Sequence, residues 1–154
     1  MNTDADKGTP ESVERIEHEG QTLAIIVRNE YTSSGVKFFT PDELSQQLAY
    51  MRHPAGKVID AHIHNPVQRT VAYTQETLFI KRGRIRVDFF DNEQNYLDSR
   101  VLSHGDVILL IKGGHGFEVL EDLEMIEVKQ GPYTGQKDKT CFEGRLPAGL
   151  RRTI

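Results

Sequence analysis

His62-Ile63-His64 is the one place in this chain where two histidines lie two residues apart. In a strand, successive side chains point to opposite faces, so both imidazoles would project the same way, about 6–7 Å apart. Neutral imidazoles so arranged can grip one metal ion. Glu76 opens the next strand-like run, and His115 follows a later glycine pair. Together they make a candidate set of three imidazoles and one carboxylate: His62, His64, Glu76 and His115. Two imidazoles buried without partners would cost free energy, which a bound ion would offset.

The elements that must position these groups read as short β segments. Thr22–Arg28 and Val36–Phe39 are expected strands on either side of a loop. Thr40-Pro41-Asp42-Glu43 has the form of a brief helical turn, with Thr as N-cap and Pro in the first helical position. Gln46–Arg52 either extends that turn or forms a strand; Pro54 and Gly56 stop it soon afterwards, which favours the strand. Further strands are expected at Val58–His64, Glu76–Lys81, Arg84–Phe90, Tyr96–Leu102, Asp106–Ile111, Phe117–Leu120 and Leu123–Lys129. Gly83, Asn92, Gly105, Gly113-Gly114 and Asp122 punctuate them, at a spacing that suits an all-β sandwich or barrel. Ile85, Val87 and Phe89 alternate with Arg84, Arg86 and Asp88, giving one buried and one wet face. No long amphipathic helix appears, which argues against βαβ folds.

The chain has 154 residues, a length that suits one domain able to bury roughly 68–70% of its unfolded surface. Its net charge of −4 offers no basic footprint for nucleic acid, and no helix-turn-helix accompanies the strands. No apolar run is long enough for a membrane span. The single cysteine, Cys141, cannot form an intramolecular disulfide and suits a reducing compartment. The polar N-terminus lacks the apolar core of a signal peptide. A cytoplasmic protein without membrane or nucleic-acid partners is the expectation. Residues 1–20 read as a loosely ordered acidic arm, 21–130 as the β domain and 131–154 as a basic tail, the two ends solvated.

Gly56-KVIDA-His62-Ile63-His64 followed by Glu76-TLFIKR-Gly83 resembles the first motif of the cupin superfamily: glycine, five residues, His-x-His, a gap, Glu, six residues, glycine. Gly105-DVILLIKGG-His115 resembles the second. The likeness covers about residues 45–128. It implies a double-stranded β-helix, or jelly-roll, barrel in which His62, His64, Glu76 and His115 hold a divalent transition metal, whether Fe, Mn, Ni, Co or Zn. The gap from Asn65 to Gln75 is longer than the family's, so it should form a flap at the mouth of the site. Counting forward from His64 makes Gln68 the alternative ligand; counting back from Gly83 gives Glu76, the better ligand for a hard ion. Ile111 replaces a common proline, and the second motif is one residue short before His115.

The resemblance implies a metal-dependent enzyme acting on a small polar metabolite, most of all a non-haem iron dioxygenase-type reaction. A sugar or sugar-nucleotide isomerase or epimerase, and a non-catalytic ligand-binding cupin, are the alternatives. It also implies a homodimer. Arg69 and Tyr73, on the expected flap, are the candidate substrate contacts beside Glu76, Arg being well shaped for carboxylate or phosphate. Asp60 and Gln75 are candidates to orient the ligands. Met51, Leu78, Phe89 and Phe117 could line an apolar pocket, with core packing as the default for each. His18, His53 and His104 read as arm, surface and loop residues.

Overall fold

The computed structural model describes residues 12–150 and, among them, eight strands and no α-helix. In chain order the strands are β1 (Val13–His18), β2 (Gln21–Val27), β3 (Gly35–Phe38), β4 (Ala49–Arg52), β5 (Glu76–Phe90), β6 (Tyr96–Ser103), β7 (Val107–Leu110) and β8 (Gly114–Lys129). Six of them make one antiparallel sheet in the order β1-β2-β7-β5-β6, with β8 on the other edge of β5; β3 and β4 form a separate hairpin. The sheet curls into a half-barrel, so the all-β expectation holds at that level.

The curl comes from β5. Its first half pairs with β7 from Glu76 to Phe79, its second with β6 from Arg84 to Phe90, while β8 runs beside it from end to end. Gly83, expected to end one strand and begin another, instead sits inside a single strand as a left-handed residue at φ +85°. The register with β8 shifts around Arg82, Arg84 and Ile85. Such bulges add twist and re-aim a strand without ending it. Asp122 likewise falls inside β8 rather than between two strands.

Two apolar clusters hold the sheet. Ala24, Ile26, Leu78, Ile80, Ile85, Val87, Phe89, Leu102, Ile108 and Leu110 fill the inner face, as the alternation in β5 requires. Ile25, Val27, Leu109 and Ile111 on the outer face pack with Tyr31 and Phe39 beneath the β3–β4 hairpin. The Tyr31 ring meets those of Phe39 and Tyr50 edge-on, at 5.1 Å each. Leu78 and Phe89 are thus core residues and Phe117 packs against them, whereas Met51 is exposed.

Four local expectations are corrected. Val13–His18, placed within the loose arm, is an edge strand paired with β2; residues 1–11 lie outside the described part. Glu14 accounts for the order, since it takes Arg28 at 2.6 Å and Arg100 at 2.6 Å. The Thr40 segment is one turn, closed by Leu44 N–H to Pro41 C=O, and Thr40 Oγ1 accepts from Leu48 N–H rather than capping a helix. The tail is partly docked: the Phe142 ring stands edge-on to Phe90 at 5.2 Å.

The fourth correction matters most. Val58–His64 is not a strand; residues 53–75 form one irregular excursion, and every residue from 51 to 74 is exposed. A strand-competent sequence gains ladder hydrogen bonds only beside a partner, and this segment has none among the described residues.

A side chain at residue 83 would drive into the Asp122 carbonyl oxygen, which is backbone and cannot swing away. Gly83→Ala should therefore lower the unfolding free energy by about 1–3 kcal/mol or more, combining positive-φ strain with the clash. Urea denaturation measures this; an unchanged midpoint would mean that the bulge does not fix the β5–β8 register.

Candidate functional site

Glu76 and His115, far apart in sequence, meet on the inner face. Glu76 opens β5 on the same face as the buried Leu78 and Ile80. His115 sits in β8 opposite Phe89, also an inner-face residue. The curl of the β5–β8 ribbon brings His115 Nε2 within 3.2 Å of Glu76 Oε2. On the other side Lys129, Glu76's register partner, places Nζ 3.5 Å from Oε1. Both members of the pair are partly buried, their side chains 28% and 18% exposed for His115 and Glu76. Phe117 stacks tilted beside His115 at 5.2 Å.

The hydrogen bond from His115, helped by both neighbouring charges, holds the Glu76 carboxyl below its ordinary range, against the upward pull of burial. Glu76 is therefore a carboxylate at neutral pH and accepts from the His115 ring N–H. Lys129 also contacts Glu127 at 3.2 Å and lies 5.6 Å from the Tyr133 ring centroid. Gln75, beside Glu76, is buried with Oε1 lacking a hydrogen-bond partner, while its backbone N–H donates to Gln130 Oε1.

The other two expected ligands stand together but apart from this pair. His62 and His64 are exposed on the excursion, their rings 5.2 Å apart and nearly perpendicular. His62 Nδ1 is 2.9 Å from the Asp60 carbonyl oxygen. A carbonyl only accepts, so Nδ1 is the donor in this contact, the kind of hydrogen bond that orients ligating histidines. Asp60 thus orients His62 through its backbone rather than its carboxylate.

Among the described residues no three His, Cys, Asp or Glu side chains come together as metal ligands would. In the single chain the expected set of four is split into two pairs, and a metal centre does not fit either pair alone. Gln68, the alternative to Glu76, lies exposed on the excursion, as do Arg69 and Tyr73; Glu76 is the one that reaches His115. His104 Nδ1 donates to the Lys81 carbonyl at 2.7 Å, as befits a loop residue, and His18 stands 4.0 Å from Asp91. Lys129 is the site residue that sequence reasoning missed. Its register with Glu76 follows only from how β8 pairs with β5.

Because the folded pKa of Glu76 is depressed, its contribution to stability is full above the unfolded carboxyl pKa of about 4.3. It is lost as pH falls through the folded value. Glu76→Gln should thus be less stable than the wild type by about 1 kcal/mol at pH 7, with the gap closing in acid below pH ~4. Denaturant titrations at the two pH values measure it; a gap that persists in acid would mean that the ion pair is not its source. Compared with known proteins, the chain matches no family model, no curated protein and no solved structure.

Proposed function

We propose that this protein is a metal-dependent enzyme of cupin type, a double-stranded β-helix that acts on a small polar metabolite, with a non-haem iron dioxygenase-type reaction as the leading chemistry. One observation carries the reading: a carboxylate and an imidazole, on opposite ends of a β ribbon, converge at 3.2 Å on the inner face. His62 and His64 supply the two further imidazoles, provided the excursion folds toward that face. A divalent ion held by such a set acts as a Lewis acid, or activates oxygen if it is iron.

The work of the chain's own groups follows from their placement. The Glu76 carboxylate, flanked by His115 and Lys129, gives the inner face a fixed negative charge with a cation beside it. Phe117 and the inner-face aliphatic residues supply an apolar wall, and apolar surroundings strengthen electrostatic contacts to a bound polar molecule. Arg69 and Tyr73 sit on the excursion and would reach a substrate only when it closes.

A second reading is metal-free proton transfer, as an isomerase or epimerase would use. The same pair favours it, because a carboxylate-oriented imidazole is already a working acid–base unit without His62 or His64. Glu76 would fix the ring tautomer, while the other ring nitrogen takes up or delivers the proton.

Elemental analysis of protein purified without added metal, then oxygen consumption with Fe(II) across small acids, thiols and phenols, separates the readings. The leading one expects bound metal and oxygen uptake that His115→Ala lowers about 100-fold or more. Deuterium exchange at a substrate carbon by EDTA-treated protein would move the assignment to the isomerase. Tight ligand binding with neither activity would make this a binding protein.

A further inference from the structure

Among the described residues, β8 has an edge without a strand partner and the excursion at 53–75 pairs with no strand. β8 is a sixteen-residue strand whose only strand partner among the described residues is β5. No described backbone group hydrogen-bonds to its other edge. Long unpaired edges are templates for strand addition. The inner face is also uncovered along this edge: Val119 pairs with the buried Ile85 yet is 58% exposed, and Met125, opposite the buried Ile80, is 38% exposed.

The excursion offers that cover. It exposes Val58, Ile59, Ile63, Val67, Val71 and Tyr73, more apolar surface than a loop in water retains at no cost. Its bonds before Gln75 are local, Lys57 N–H to Pro54 C=O and His62 to the Asp60 carbonyl, and it is tied back where it ends, by Gln75 N–H to Gln130 Oε1. The exposed run from 51 to 74 matches the roughly 20–30 residues that each side gives to a standard protein–protein interface. Laid beside the His115 end of β8 as a strand, it would turn His62 and His64 to one face, the face of His115.

We propose that the occupant is a second copy of this chain. Two copies exchange their excursions about a two-fold axis, each adding a strand to the other's β8 edge, and the exchange assembles a metal site from His62 and His64 of one copy with Glu76 and His115 of the other. Exchange accounts for an excursion that is exposed from 51 to 74, and for a ligand set divided into two halves. The metal-binding part rests on the function proposed above.

Complementation between two damaged chains tests it. One chain carries His62→Ala and His64→Ala, the other Glu76→Ala and His115→Ala, with different affinity tags, co-expressed and purified through both tags. Exchange leaves one intact site in the mixed dimer, so it should bind about one equivalent of Co(II), half the wild-type dimer, while each variant alone binds none. A wild type that binds Co(II) with a mixed dimer that binds none would overturn the exchange and leave the metal reading standing. A wild type that binds none overturns both. Because these variants could disturb folding, the length-preserving replacement of residues 58–71 by Gly and Ser supplies a second measurement. Light scattering should then fall from about twice the 17.5 kDa chain mass to the mass of one chain. A wild type that runs as one chain, or a replaced chain that still runs as a dimer, would overturn the proposal.

Discussion

The antiparallel pairing of β5 with β8 is the constraint on which the rest of the molecule depends. It runs from Glu76 opposite Lys129 to Phe90 opposite Gly114, and it is bent in the middle by Gly83 and its shifts of register. Because β7 takes the first half of β5 and β6 the second, the bend decides that the sheet folds over rather than lying flat. Residues near opposite ends of the ribbon then face one another. Without the bend, Glu76 and His115 would sit at opposite ends of a flat ribbon.

Charge is used sparingly inside this frame and always with partners. Asp88 is fully buried and takes both Arg86, at 2.7 Å, and the Ser99 hydroxyl, at 2.6 Å; Arg86 reaches on to Glu118 at 2.7 Å. These contacts tie β5 to β6 and β8 at once. At the other end of the sheet Arg28 bridges Glu14 and Asp106, and Asp106 also accepts from the backbone N–H groups of Asn29 and Ser103. Removing one member of such a set strands a buried charge, which costs more than the pair itself contributes. They act as registry pins, holding β1, β2 and the β6–β7 turn where apolar packing alone would allow slippage.

Much of this was legible in the sequence, and what was not has a physical reason. The alternation of Ile85, Val87 and Phe89 placed the inner face because side-chain direction has a period of two in any strand. Glu76 and His115 were readable because each lies at a strand end. Gly83 misled, because a glycine at positive φ looks the same in sequence whether it closes a turn or bulges a continuous strand. β1 was hidden by its charges: Glu14 and Arg15 look like solvent residues until Arg28, Arg100 and the Phe39 carbonyl claim them. Val58–His64 has a strand's composition, but pairing belongs to two segments and one sequence does not name the second.

The division of the ligand set carries a further electrostatic consequence. Lys129 already stands beside Glu76 as a monovalent cation, 3.5 Å from one oxygen while His115 takes the other. A divalent ion entering between Glu76 and His115 would replace a proton on the ring nitrogen and meet the ammonium as a like charge. Lys129 must then turn toward Glu127, 3.2 Å away, or toward the Tyr133 ring, and both are close enough to receive it. Glu76 thus already has its counter-charges, and on the proposed metal reading the imidazoles of His62 and His64 would supply what an ion needs to displace them. A pair of ligands competing with a lysine is a proton-transfer unit; four ligands with the lysine turned aside are a metal centre. The choice between the two proposed readings therefore turns on where His62 and His64 come to rest.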